Sequence, residues 1–495
     1  MRKHARIIGL TATAALALGI AAGGSRITLA APANGLVLDH VNVVDVRNGS
    51  IARNRSVLID GEKIARIGTA GSVGGRGDRH VDGHGGYLVP GYNDMHAHNL
   101  NTASPETSLP LMLANGVTGF RQMAGAPALL ARRASGQPVV PIESPALLAM
   151  PGTLLAGPAF ASPDAVKAEV DRQKVQGADF IKVVDLPAKA FIAAADEATA
   201  QGLPYSGHLP PTVDAREAIR HNMRSIEHLG PTISLLLSCS TDEAAARAIL
   251  AMVPPGAGVD FDMEPGKLQR MLANPALLTP PPAFKLIHRV LATYDEARCR
   301  AFAKELAASQ TWVVPTLSRL EAMNLGNDPA LRNNPDLRFV TPGSRSMWAD
   351  VGQTFDSKLT AEQKATLAEL FARQLQLTRL FDAEGVKMLT GTDFGGQWLV
   401  PGFSLHREFD LLAKAGLSPL HILQMTTIDP ARYLHREATL GAVAPGKAAD
   451  LVLLGGDPTK SVKAMHAIVA VVRAGKLYDR AALDAIEARQ ANRLK

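Results

Sequence analysis

Between residues 91 and 436 the chain repeats one pattern, a short apolar run followed by a stretch with amphipathic helical spacing. The apolar runs fall at 88–98, 117–121, 144–150, 180–184, 204–208, 225–228, 312–316 and 387–393. This alternation predicts parallel strands joined by crossover helices, since neighbouring parallel strands need a long connection that packs back on the sheet. Eight such units over this length predict an α/β fold, a distorted TIM (β/α)8 barrel, whose active site lies at the C-terminal ends of the strands. Those ends carry His96 and His98, Lys182, His208, His228 and Asp393. One such residue at a strand end means little, but here they are spread over five strands.

The gap from about 231 to 310 is far longer than an ordinary connection in such a fold. It holds helical runs at 241–252 and 294–308 around Pro254, Pro255, Pro280, Pro281 and Pro282, and a second polar stretch follows at 321–356. Each is expected to cover the barrel mouth or to act as a packing element. Outside the barrel, residues 36–45 and 56–68 alternate apolar and polar residues, with Asp60-Gly61 as a turn signal. Residues 449–454 and 467–478 do the same. The two ends, 34–90 and 437–480, are therefore expected to close into one small composite β-sandwich with the barrel (91–436) inserted between them, and 481–495 to form a C-terminal helix.

Composition narrows the function. The net charge is +6, but Arg2, Lys3, Arg6 and Arg26 stand in the first thirty residues without an acid, which leaves about +2 on the remainder. No long basic run and few aromatics follow, which speaks against a nucleic-acid partner. A basic start, an uncharged Ala/Leu/Ile/Gly run to about Gly24 and small residues near Ala30 have the layout of a secretory signal peptide over 1–30. Export to a bacterial periplasm is the expectation, with no membrane association beyond that signal; a homo-oligomer is compatible with everything read so far. The two cysteines, Cys239 and Cys299, could pair in an oxidising compartment, and two free buried thiols fit the sequence nearly as well.

The strand-end residues suggest metal chemistry. His96 and His98 share one face of a strand, because side chains i and i+2 point the same way, and two imidazoles at a strand end can hold a metal ion. Asp393 could both bind that ion and carry a proton, while His208 and His228 would hold a second ion. Two cations side by side need a bridging anion. Lys182 could supply it once carboxylated by carbon dioxide, and burial would favour the neutral amine that this requires. A water held by two dications is acidic near neutral pH, so metal-assisted hydrolysis is the reaction class, with Asp393 as general base and then acid. Arg121, at the end of the second strand, could meet a substrate carboxylate or form a structural ion pair. Glu227 and His406 are ambiguous, and Tyr205 and Trp398 read as packing residues.

The motifs Val89-Pro90-Gly91, Asp94-Met95-His96-Ala97-His98, Gly116-Val117-Thr118, Gly177-Ala178-Asp179-Phe180-Ile181-Lys182, Ser206-Gly207-His208, Ile226-Glu227-His228, Gly391-Thr392-Asp393 and Pro445-Gly446-Lys447-Ala448-Ala449-Asp450 together resemble the amidohydrolase superfamily. The resemblance is to the branch of imidazolonepropionase-like proteins, metal-dependent prolidases and Xaa-amino-acid dipeptidases. It implies a distorted TIM barrel with a composite β-sandwich and two divalent metal ions, usually zinc, bridged by carboxylated Lys182. It also implies hydrolysis of a carbon–nitrogen bond in a small molecule or short peptide, with a dipeptide or N-acyl amino acid as the leading substrate class. A cyclic-amide hydrolase, deaminase or lactonase of the same superfamily is the alternative. The chain departs from the branch at Gly119-Phe120-Arg121-Gln122, where many members carry Thr and Asp, and in the length of the insertion after His228. Deaminases of this type tend to place Glu three residues after the fifth-strand histidine; here His208 is followed by Leu209-Pro210-Pro211.

Overall fold

A computed structural model describes residues 35–101, 105–252 and 264–494. The expected signal segment lies outside them. Among the described residues no helix is long and apolar enough to cross a membrane.

Both chain ends build one sheet. Strands β1 (Leu36–Asp45), β2 (Ser50–Asp60), β3 (Lys63–Thr69), β4 (Arg79–Asp82) and β5 (Tyr87–Pro90) come from the N-terminal part. The barrel region adds β6 (Tyr92–Ala97), β7 (Val117–Gln122), β8 (Ala146–Ala149), β9 (Leu155–Ala156), β10 (Ile181–Asp185), β11 (Tyr205–Gly207), β12 (Met223–Glu227) and β13 (Trp312–Val314). The C-terminal part supplies β14 (Leu451–Leu454), β15 (Ile468–Arg473) and β16 (Lys476–Asp479). The end sheet runs β16-β15-β14-β5-β1-β2-β3, with β4 on β1. The seam between the chain ends is the antiparallel pair β5–β14, in register Val89 to Val452.

Instead of two separate sheets, this is one sheet that curls back on itself. Lys63 at the start of β3 bridges Ala448, just before β14. Ile64 N–H donates to the Lys447 carbonyl at 2.9 Å, and Ala449 N–H to that of Glu62 at 2.8 Å. The alternation of side chains explains why both faces are apolar. Leu88, Leu451 and Leu453 fill the sheet's own core with Leu38, Val57, Ile59 and Ile64. Val89, Val452 and Leu454 point the other way and join the large core shared with the barrel region.

The middle of the chain is α/β and TIM-barrel-like. Strands β6-β7-β8 form one parallel sheet and β9-β10-β11-β12-β13 a second. Helices such as Pro163–Val175, Ala188–Ala200 and Glu296–Ala308 fill the connections. The segment 387–394, with 387–393 expected as a regular strand, joins the two sheets through isolated bridges, Val313 to Met388 and Ala97 to Phe394. Its ladder is interrupted where Thr390 N–H goes to the Met425 carbonyl and where Thr392 N–H, bonded to the His96 carbonyl at 3.2 Å, is shared with Asp94 Oδ1 at 3.1 Å. On the far side, Asp179 N–H reaches the Met150 carbonyl at 3.0 Å, between β8 and β10.

The long insertion folds into helices that include Glu243–Leu250, Pro265–Ala273 and Pro281–Ala292. Cys239 and Cys299, left open by the sequence, form a disulfide that closes its base. The C-terminal helix, Arg480–Arg493, begins one residue earlier than expected.

Candidate metal centre

His96 lies in β6 and His98 one residue beyond its end. Asp94, two residues earlier, fixes the neighbouring segment: its carboxylate accepts the Thr392 hydroxyl at 2.6 Å, and the N–H groups of Thr392 and His96 at 3.1 Å. Asp393 follows with φ near 51° and donates its N–H to the His96 carbonyl at 2.7 Å. That left-handed turn brings its carboxylate back over the histidines. One oxygen, Oδ1, lies 3.0 Å from His98 Nε2 and 3.3 Å from His96 Nε2. The three residues form a cluster whose ligand atoms could hold one ion.

The tautomer of His96 follows from its other nitrogen. Nδ1 lies 2.7 Å from Glu227 Oε2 in a pocket without solvent exposure. Glu227 is itself held by Arg121, 2.8 Å from Oε1, and by the Ser225 hydroxyl at 2.6 Å. Burial alone would push the Glu227 carboxyl up, but the Arg121 and His96 charges hold it well below the ordinary range. An ionised carboxylate only accepts, so Nδ1 carries a proton, and in the neutral tautomer Nε2 is then the nitrogen that offers a lone pair. Nε2 has no hydrogen-bond partner, yet it faces a carboxylate oxygen. In that tautomer the two acceptors face each other across a place that suits a cation.

His228 repeats the arrangement. The Thr316 hydroxyl donates to the Pro315 carbonyl at 2.8 Å and lies 2.7 Å from His228 Nδ1, which must therefore donate to it. This leaves Nε2 as the acceptor. In a regular strand Glu227 and His228 would point to opposite faces. The positive φ of His228, near 59°, breaks the alternation and lets both face the centre. The His228 ring centroid lies 4.5 Å from that of His96 and 4.9 Å from that of His208. His208 follows Gly207, whose φ of +138° and close approach to the Val183 carbonyl leave no room for a Cβ.

Lys182, expected at the end of its strand, is instead the second residue of β10; it is 1 % exposed, and its Nζ has no hydrogen-bond partner. Burial lowers its pKa to about 8, so a neutral amine is accessible near neutral pH. Burial likewise keeps His98 below, and His208 and His228 well below, the ordinary imidazole range. Asp393 stays ionised: burial would raise its carboxyl, but His228, His96 and His98 hold it well below the usual value. Imidazole nitrogens and an ionised carboxylate are donors that suit a divalent metal ion, with the orphaned Lys182 amine close by, and the residues fit such a group.

Arg121 does not reach solvent. Its Nε donates to the Met95 carbonyl at 2.6 Å, its other nitrogens to Ser225, Tyr433 and Glu227, and its guanidinium lies over the Tyr433 ring. The candidate substrate contact is thus a buried ion pair that braces His96. The residues with functional contacts that the sequence left unassigned or unnoticed are Glu227, Thr316 and Arg319. Glu227 could have been found from its place beside His228, whereas nothing local marks Thr316 or Arg319.

Residues 348–478 match the model of the Amidohydrolase family. A stretch of 57 residues, 12 % of the chain, is 44 % identical to adenine deaminase 2 of Jannaschia sp. (strain CCS1), and the match spans only 9 % of that deaminase. Among solved structures, bottromycin amidohydrolase superposes with a TM-score of 0.68 at 24 % identity, covering 93 % of this chain and 90 % of that one. A Xaa-Pro dipeptidase with methionine bound in its active site superposes with a TM-score of 0.58 at 17 % identity, over 90 % of this chain and all of the other.

Proposed function

We propose that the chain is a member of the amidohydrolase superfamily, hydrolytic enzymes acting on carbon–nitrogen bonds, and within it a dinuclear metal-dependent hydrolase, a reading supported by the family match over residues 348–478 and by the shared fold. Its substrate, in this reading, is a dipeptide or N-acyl amino acid. The observation that carries the proposal is the cluster of His96, His98 and Asp393, with the unpartnered Nε2 of His96 facing the Asp393 carboxylate, beside the orphaned Lys182 amine. The two parallel sheets and the 387–394 segment then read as one distorted (β/α)8 barrel, and the curled end sheet as its composite β-sandwich.

His96, His98 and Asp393 would hold one divalent ion and His208 and His228 the other, with carboxylated Lys182 between them. Zinc suits these nitrogen and oxygen donors. Bound there, the ions supply Lewis-acid polarisation of a carbonyl and a lowered pKa for water. The protein's own groups do the rest. Glu227 and Thr316 keep the histidine lone pairs aimed inward. Asp393, with its side chain 16 % exposed at the open edge of the cluster, takes the proton of the attacking water and returns it to the leaving nitrogen.

The fold likeness to a Xaa-Pro dipeptidase and the Leu209-Pro210-Pro211 sequence after His208 support a peptide-like substrate. The short similarity to an adenine deaminase supports the alternative, a cyclic amide or heterocycle, and a lactone would suit the same chemistry. The Cys239–Cys299 disulfide supports export to an oxidising compartment such as the bacterial periplasm.

The test loads mature protein with zinc and bicarbonate and incubates it with pooled dipeptides and N-acyl amino acids, reading products by mass spectrometry. Release of free amino acids that is lost in Lys182→Ala is expected. Ammonia or ring-opened products from added heterocycles, with peptides untouched, would overturn the substrate class.

A further inference from the structure

Arg319 stands three residues beyond Thr316, in the helix Leu317–Leu325, and is 4 % exposed. A buried guanidinium is tolerated only when its N–H groups find acceptors. Its Nε lies 3.1 Å from Asp393 Oδ2. Its terminal nitrogens donate to the carbonyls of Ala273 at 2.8 Å and Leu272 at 2.5 Å. Those carbonyls end the insertion helix Pro265–Ala273, where the helix dipole presents partial negative charge to a cation. The loop after Asp393 wraps the same guanidinium so closely that any Cβ at Gly396 would collide with it. One residue on, Gln397 repeats the stitch without touching Asp393: its N–H reaches the Ala273 carbonyl at 3.0 Å and its amide reaches the Trp348 carbonyl at 2.8 Å.

We propose that Arg319 is a positioning residue for the metal centre, and that through it the long insertion forms part of the active-site wall. The inference rests on the metal-hydrolase reading above. Arg319 occupies Oδ2, so Oδ1 is the oxygen that meets the ring nitrogens of His96 and His98. Without that clamp the carboxylate is free to rotate, and either oxygen faces the histidines. A planar fork reaches one carboxylate and two carbonyls at once, which a single ammonium point charge does not. The insertion helix end therefore sets the angle of Asp393.

The experiment compares zinc affinity, by chelator competition, in the wild type, Arg319→Gln, Arg319→Lys and Gln397→Ala, with folding checked by circular dichroism. Removing a group that orients a metal ligand lowers affinity roughly 10–100-fold. Arg319→Gln is expected in that range, Arg319→Lys several-fold down, and Gln397→Ala within twofold of wild type. Arg319→Gln within twofold of wild type would overturn the proposal. So would a loss in Gln397→Ala equal to that in Arg319→Gln, because it would show general loosening of the insertion. If Arg319→Gln does not fold, an unchanged affinity in Arg319→Lys overturns the proposal by itself. Wild-type protein that binds no zinc would instead strike at the metal-hydrolase reading, and the assigned role of Arg319 would fall with it.

Discussion

Opening the Cys239–Cys299 bond should destabilise the protein by about 4 kcal/mol, a figure set by loop-closure entropy for 60 residues at 25 °C. The loss acts through the unfolded chain, because the folded state keeps the loop ends together without the bond. Asp295 N–H donates to the Cys239 carbonyl at 2.8 Å, Thr241 N–H to the Thr293 carbonyl at 2.9 Å, and the Ser240 and Thr293 hydroxyls meet at 2.7 Å. Both cysteines are fully buried, so the Cys239→Ala/Cys299→Ala pair loses sulfur packing as well, and the entropic figure is a lower bound. The assay is urea unfolding of oxidised and reduced wild type and of the double variant, all metal-free. Reduced and oxidised forms should show the same native circular dichroism and different midpoints. The slope against urea should be steeper without the bond, because the freed chain exposes more surface. A midpoint difference worth less than about 1 kcal/mol would refute the loop-closure account. Two free thiols titrating in the native oxidised protein would remove its premise.

Further expectations concern the centre and its surroundings. Lys182→Ala should lower metal content from two ions per chain to one or none, read by elemental analysis, while an unchanged content would refute the bridging role. Glu227→Gln removes the charge that faces Arg121 and fixes the His96 proton. It should cost about 3–5 kcal/mol in urea unfolding, as for breaking a buried ion pair, and weaken zinc binding roughly 10–100-fold; unchanged values on both counts would refute that assignment. Glu408 is buried and accepts the N–H groups of Leu317 and Ser318 at 2.9 and 2.7 Å, yet burial pushes its carboxyl up to about 8. A folded-state pKa raised above the unfolded value means that the folded protein binds more protons. The contribution is therefore full below the ordinary value of 4.5 and is lost as pH rises through about 8. Metal-free wild type should lose stability over that window more steeply than Glu408→Gln, and parallel curves would refute the shift.

The repeating strand-and-helix pattern was legible because each element obeys a local period, and the elements form close to where the apolar runs stand. Strands 117–121 and 180–184 of the sequence reading appear as Val117–Gln122 and Ile181–Asp185. The 387–393 run pairs with its neighbours on both sides only through isolated bridges, because the Thr390 amide hydrogen goes to the Met425 carbonyl and that of Thr392 is shared with Asp94. Similarly, the alternating ends do not record that β5 pairs with β14 to make them one sheet, or that Lys63 then closes on Ala448.

The sequence by itself determined which residues stand in the strands or just beyond them, since strand position and side-chain alternation are short-range properties. His96, His98, Lys182, His208, His228 and Asp393 could therefore be named before any contact was known. Only the tertiary structure decided what each of them faces. Arg121 meets Glu227 across 106 residues of chain, His228 meets Thr316 across 88, and Arg319 meets the insertion across 46. Those meetings depend on how far-apart segments pack, which no local period records, and they orient the side chains on which the proposed chemistry rests.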